Sequence, residues 1–247
     1  MDAYFLQRKT CRTFSDKDIS NNKIKEILEA AMRAPTTGNM QLYSVIITRD
    51  KTNKNKLAEA HFSQSAFVNA PVILTFCADF NRFNLWCKES EAVPGFDNLQ
   101  SLVTASIDAI ILAQQFVTIA EMEGIGTCYL GTTTYNPDKI AEILKLPKRV
   151  VPITSLAIGY PSGQQEETDR LDVDAVLHTE HYKDYTGEEI RKIYENKEKR
   201  EDSKAYIAQN NKSSLAQVFT DVRYPKENNE LFSRKLRNFL KDNYPGL

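Results

Sequence analysis

The segment from Leu99 to Glu123 constrains this chain more than any other. Leu102, Val103, Ala105, Ser106, Ala109, Ile110, Ala113 and Phe116 keep an apolar or small face along it, and no charge falls between Asp108 and Glu121. Gly124 and Gly126 close it, as glycine does just past a helix end. A helix apolar on most sides is buried, either in a domain centre or against a second subunit.

Around it, strands and helices alternate irregularly. Ser20 to Arg33 reads as a helix, with Ile24, Ile27, Leu28 and Ala31 at helical spacing, Ser20 as N-cap and Pro35 as its stop. Leu42 to Thr48 is a β-branched strand, a short helix follows around Lys54 to His61, and Val72 to Cys77 is a strand apolar enough to be buried. Thr127 to Leu130 and Val151 to Ile158 are two more strands, separated by a helix over Asn136 to Leu144 with Pro137 in its first turn. No GxGxxG follows a strand, which argues against a Rossmann domain, and GxxxxGK[ST], GxSxG and HExxH are absent. The implied architecture is α+β: a small sheet wrapped by helices, with a long central helix.

The character changes near Tyr182. Glu188 to Lys204 is densely charged and helix-prone, and Ser214 to Arg223 and Leu231 to Leu240 read as further short helices. A solvated charged face is the plain reading of the first stretch. Yet Tyr194, Tyr206, Phe219, Tyr224, Phe232 and Phe239 recur. They suggest an arm that must pack on something, with a partner subunit as one candidate.

The 247 residues, 41% hydrophobic and 26% charged, suffice for one sizeable domain or two small ones. A net charge of -1 offers no global field to nucleic acid or an anionic membrane. No apolar run approaches the roughly 20 residues of a membrane helix. The polar, basic stretch Met1 to Thr10 does not read as a signal peptide, so a cytoplasmic protein is expected. Cys11, Cys77, Cys87 and Cys128 lack CxxC spacing, and His178 and His181, whose spacing allows one face of a helix but reads more simply as surface histidines, have no third ligand nearby. No metal site is expected.

Four segments carry chemistry. Arg8-Lys9-Thr10-Cys11-Arg12 places three cations and a hydroxyl within five residues. If extended, Arg8, Thr10 and Arg12 point the same way. That suits a phosphomonoester, although basic N-terminal stretches are commonly just solvated. The loop Ala34 to Gln41 offers Thr36, Thr37, Asn39 and Gln41 for the polar edge of a heterocycle, or simply stops a helix. Tyr129-Leu130-Gly131 ends a strand with a glycine that admits a flat ligand to the backbone. Gly159-Tyr160-Pro161 is followed by Thr168-Asp169-Arg170-Leu171, where Arg170 is a further phosphate cation. Each alone reads as structural.

Their order resembles the nitroreductase-like FMN flavoproteins up to about Tyr182: RKTCR, a helix ending in APTTGNMQ, a strand, a long apolar helix, YLG, GYP and TDRL. Within that family it is similar to the NADPH-dependent nitro and flavin reductases with a long C-terminal extension, which the segment Cys77-Ala78-Asp79-Phe80-Asn81-Arg82 also fits. The resemblance implies a nitroreductase-like α+β fold, with a mostly antiparallel central sheet in an intertwined homodimer. It implies an FMN-binding core over residues 1–181 and a helical extension over 182–247 that packs on the partner. By motif position, Arg8, Thr10 and Arg12 hold the FMN phosphate with Arg170, and Lys9 sits near the ribityl chain or pyrimidine edge. Thr36, Thr37 and Asn39 meet the flavin from the other subunit, Gln64 contacts the ring, and Tyr129, Leu130 and Gly131 line its far edge. Many relatives carry a Lys where this chain has Thr168, and Cys11 stands where relatives carry apolar residues. Cys11 is read as a small buried side chain rather than a nucleophile.

The expected activity is two-electron transfer from NADPH or NADH, through FMN, to nitroaromatics, quinones or free flavins in a ping-pong cycle, with no side-chain acid or base required. Lys197, Lys199 and Arg200 are candidates for the 2′-phosphate of NADPH. The alternatives are ene reduction or dehalogenation on the same scaffold, a non-catalytic flavin-binding redox module, and a protein that uses RKTCR and Arg170 for another phosphate.

Overall fold

The computed structural model describes residues 3–244 and 246. They form two compact units: one holds the residues up to Glu166 and those from Phe232 on, the other Glu167–Leu231.

The first unit begins with a short helix, α1 (Ala3–Gln7), and an extended segment. Helix α2 (Asn21–Ala31) is capped by Ser20, whose side chain accepts from the Lys23 N–H. Strand β1 (Tyr43–Thr48) is followed by α3 (Lys51–Ala60), which starts earlier than its apolar residues suggest because Asp50 caps it. Next come α4 (Ser65–Asn69), β2 (Val72–Asp79), α5 (Asn81–Glu89) and the long α6 (Leu99–Met122). Then follow β3 (Gly126–Leu130), α7 (Pro137–Leu144) with Pro137 in its first turn, and β4 (Val150–Gly159). The short helices α1, α4 and α5 were not expected from the sequence. Four-residue periodicity has too few turns to show in such pieces.

All four strands pair antiparallel in the order β1-β2-β4-β3. This is the α+β fold with an antiparallel sheet that the sequence implied. Strand β2 is buried at every position, and its side chains alternate between two cores. Val72, Leu74 and Phe76 pack with Ile24, Ile27, Leu112 and Phe116 under α2 and α6. Ile73 faces the opposite layer, with Leu57, Phe67, Leu130 and Ile140 from α3, α4, β3 and α7. Truncating one such buried Leu or Phe to Ala costs about 2–5 kcal/mol. A third cluster gathers Leu42, Phe80, Leu102, Val151, Phe239 and Tyr244.

Helix α6 is long and apolar enough to cross a membrane by length and composition, which corrects the sequence reading that no such run exists. Its buried face nevertheless packs on the sheet through Ala109, Leu112, Ala113, Phe116 and Val117. Its other side leaves Leu99, Val103, Ile107 and Ile110 between 44% and 61% exposed.

In the second unit the charged stretch is two helices, α8 (Gly187–Lys199) and α9 (Glu201–Gln209), not one. The break is Arg200, whose ψ of 143° is extended. Helix α8 opens with a capping box between Thr186 and Glu189, a pairing that satisfies two end N–H groups. Helix α10 (Leu215–Val218) runs into a π turn, and α11 (Lys226–Asn243) is longer than its apolar spacing implied. In the first unit, Phe232 of α11 stacks on Tyr135 at 4.4 Å, and Phe239 is buried in the third cluster.

Candidate functional site

The segment carrying RKTCR is tied along the sheet by its backbone. The Cys11 N–H donates to Thr127 O at 2.9 Å and the Ser15 N–H to Tyr160 O at 2.8 Å, and Phe14 faces Pro161 in an isolated antiparallel bridge. Gln165 clamps the same segment: its Oε1 accepts from the Arg12 N–H at 3.1 Å, while its Nε2 donates to Thr13 Oγ1 and Ser162 O. This closeness requires glycine in β3, because a Cβ on Gly126 would lie 2.5 Å from Cys11 Sγ. Cys11 is therefore buried, and burial pushes its thiol up to about 11. It is the inert small side chain expected of it.

Arg8 and Thr10 lie on one side of this segment, with Arg8 Nη1 donating to Thr10 Oγ1 at 3.4 Å. The other edge of the Arg8 guanidinium grips Glu121 near the end of α6: Nε donates to Oε2 at 3.0 Å and Nη2 to Oε1 at 2.9 Å. Glu121 also accepts from the Tyr4 hydroxyl at 2.8 Å and from the Thr127 hydroxyl. Burial, and then the bond to Glu121, push the Tyr4 hydroxyl up to about 12. Lys9 lines the same shallow cleft as Arg8 and Glu121. Arg12 is exposed, and its guanidinium has no hydrogen-bond or ion-pair partner among the described residues.

The loop after α2 is held from below by a second carboxylate. The N–H and hydroxyl of Thr37 both donate to Asp108 Oδ1 at 3.0 Å, and the Leu42 N–H donates to Oδ2 at 3.4 Å. Asp108 is buried within α6. Gly38, Asn39 and Gln41 take positive φ of 54–55°, a conformation that costs a non-glycine residue about 1–2 kcal/mol. Gln41 Nε2 donates to Asn39 Oδ1 at 3.3 Å, and Thr36 caps the turn without a side-chain bond.

Gln64 opens α4 beside the end of β3. Its Nε2 donates to Thr132 Oγ1 at 3.3 Å, and His61 Nδ1 shares that hydroxyl at 2.9 Å. His61 is fully buried against Phe67, its Nε2 has no partner among the described residues, and burial lowers its pKa to about 4. Phe62 and Ser63, just before Gln64, both take positive φ. Gly131 precedes Thr132, and a Cβ built there meets nothing within 4 Å, so the strand end is open. Leu130 is buried in the sheet. The Tyr129 hydroxyl donates to Gln114 Oε1 at 3.4 Å, and burial raises its pKa.

Residues 5–160 match the nitroreductase family. The chain belongs to that family. A solved structure from Bacteroides fragilis is 46% identical to it, covers 98% of this chain and 99% of its own, and superposes with a TM-score of 0.96. An FMN reductase [NAD(P)H] of Bacillus subtilis is 34% identical over 70% of this chain and 71% of its own length. A Cr(VI) reductase of Pseudomonas is 32% identical over 74% of this chain and 75% of its own.

Arg170 lies in the second unit, where its Nη1 donates to Thr168 Oγ1 and Asp169 O, both at 2.8 Å. A cleft of about 880 Å³ in that unit is lined by Arg170 and by Lys197 and Arg200, two of the cations offered for a 2′-phosphate, but by none of the flavin-site residues expected in the first unit. The three cations offered for a 2′-phosphate are all engaged: Lys197 pairs with Asp169, Lys199 with Glu195 and Arg200 with Asp202. His178 and His181, which could have shared one face of a helix, lie outside any helix. His178 instead accepts from the Lys183 N–H and meets the Tyr185 hydroxyl.

The sequence reading missed the residues that hold the site residues in place: Asp108, Glu121, His61, Thr132 and Gln165. For two of them a signal existed. Asp108 and Glu121 are the charges that bracket an otherwise neutral stretch of α6, and a lone carboxylate in an apolar helix has to be satisfied by something.

Proposed function

We propose that this chain is an FMN-dependent NAD(P)H oxidoreductase, active as a homodimer, that reduces nitroaromatics, quinones or flavins. One observation carries the reading. Strand β3 binds the cationic segment at its start, through Thr127, and opens at its end, at Gly131. These positions lie roughly 13 Å apart at the usual rise per strand residue, a span suited to a ligand with an anionic tail and a flat head.

The donor set fits FMN at both ends. Arg8, Lys9, Thr10 and Arg12 supply cations and a hydroxyl for the phosphate. The amide of Gln64 and the open edge at Gly131 suit the heterocycle, with Tyr129 and Leu130 forming the wall behind it. Thr36, Thr37 and Asn39 are assigned to the ring bound by the second copy. FMN held by these residues would supply two-electron redox chemistry between NAD(P)H and an acceptor. The protein's residues bind and orient; none is assigned a proton transfer.

The homodimer reading rests on the exposed face of α6, where Leu99, Val103, Ile107 and Ile110 recur at helical spacing. We read residues 182–247 as an extension that meets the partner, supported by Tyr194, Tyr206 and Tyr224, which stay 42–56% exposed. Relatives named FMN reductase [NAD(P)H] and Cr(VI) reductase support a reductase with more than one kind of acceptor, and we read the protein as cytoplasmic.

The test is steady-state NADPH and NADH oxidation with nitrofurazone, menadione, chromate and free FMN as acceptors, run beside ene and halogenated substrates. Turnover with the first group is expected. A flavin-loaded protein that turns over none of them is a redox module instead. If Arg200→Ala leaves the NADPH to NADH ratio of kcat/KM unchanged, as its engagement with Asp202 predicts, Arg200 has no part in that choice.

A further inference from the structure

The geometry points to Glu121 as the positioning residue for the phosphate end of the site: it clamps one edge of Arg8 so that the other edge, together with Thr10, faces the anion. The inference rests on the FMN reading above. A guanidinium carries five N–H donors in a rigid plane. Two of them, on Nε and Nη2, are spent on the Glu121 carboxylate. Of the three left, two lie at the tip of the guanidinium, one on each Nη, and the third is on Nη1, which already reaches Thr10 Oγ1. Glu121 is thus not a competitor for the whole of Arg8; it fixes the plane and the direction of the donors that remain.

The clamp is itself held rigidly. The Glu121 side chain is only 9% exposed, and the Tyr4 and Thr127 hydroxyls both donate to it. Thr127 also accepts the Cys11 N–H through its carbonyl. One residue of β3 therefore registers both the backbone of the cationic segment and the carboxylate that aims its arginine. A long arginine free in solvent loses rotamer entropy when it grips an anion, and a side chain locked beforehand has already lost it. Glu121 confers this at the cost of placing a negative charge near the phosphate, so the net effect on affinity is the quantity to measure.

The experiment compares FMN with riboflavin, which lacks the phosphate, by fluorescence titration of the apoprotein. For Glu121→Gln, FMN affinity should fall about tenfold or more, the loss expected of one charge-assisted hydrogen bond. Riboflavin affinity should stay within about twofold, since its contacts lie elsewhere. Arg8→Ala should give a similar loss, and the double variant should lose little more than either single one, because the two residues act as a unit. If Glu121→Gln does not fold, Thr127→Val reads the same expectation at smaller amplitude. An FMN affinity that is unchanged or raised in Glu121→Gln, with Arg8→Ala still impaired, overturns the positioning role. An unaltered wild-type protein that binds neither flavin overturns the FMN reading itself, a separate result.

Discussion

Two carboxylates on the same helix do different work. Asp108 is buried among neutral donors: the backbone N–H groups of Thr37 and Leu42, and the Thr37 hydroxyl. Glu121, partly buried, sits beside a cation and two hydroxyls. The first arrangement ties down a loop, since a carboxylate that accepts backbone N–H groups acts much as a helix cap does. The second ties down another charged side chain and leaves part of it free to bind. Removing Asp108 should therefore cost stability, while removing Glu121 should cost ligand recognition.

The largest effect should come from Asp108→Ala. It strands the donors of Thr37 and Leu42, and we expect a loss of about 3 kcal/mol, which lowers Tm by roughly 6–12 °C in a chain of this size. Calorimetry of the two apoproteins checks this: if Glu121→Gln melts as low as Asp108→Ala, the contrast fails.

The buried His61 sharpens the comparison, because it is an acid-sensitive group that shares the Thr132 hydroxyl with Gln64. Its native pKa of about 4 lies below the ordinary 6.5. The unfolded chain therefore binds the proton first, so stability is full above pH 6.5 and declines as pH falls toward 4. The most this contributes is about 3 kcal/mol. Urea midpoints of wild type and His61→Gln should converge across that window, and parallel curves would refute the assignment.

Gly126 and Gly131 bracket β3 and should respond oppositely. Gly126→Ala drives a Cβ into Cys11 and should cost about 2 kcal/mol, part of which Cys11→Gly restores. Gly131→Ala meets open space. It should leave Tm unchanged while weakening flavin binding, and equal losses of Tm in the two variants would show that the open edge is no site. The smallest effect should be Ser63→Gly, which relieves a positive φ and gains about 1 kcal/mol.

The sequence was legible where one physical signal acted alone. The periodicity of α2 and α6 and the apolar run of β2 located the core. Proline and glycine marked the ends of α6 and α7. The order of RKTCR, APTTGNMQ and YLG placed the family. Illegible were features decided by several residues at once. The break at Arg200 lies inside an unbroken run of helix formers. The extension of α11 to Asn243 depends on burial of Phe239 and Tyr244 in a cluster drawn from distant segments. The pairing of Lys197, Lys199 and Arg200 with nearby carboxylates could not be read from charge counting, since each cation had several candidate partners. The anchoring of Arg8 by Glu121 joins residues far apart in sequence, and nothing local announces it.

Everything proposed for this protein depends on a bound flavin that a nicotinamide can reduce. The most direct measurement is the visible spectrum of the purified protein under anaerobic titration with NADPH. The bands of oxidised flavin are expected, bleached by about one equivalent of NADPH per site for a two-electron transfer and restored on adding menadione. A colourless protein that FMN does not reconstitute, or a bound flavin that neither NADPH nor NADH bleaches, would contradict it.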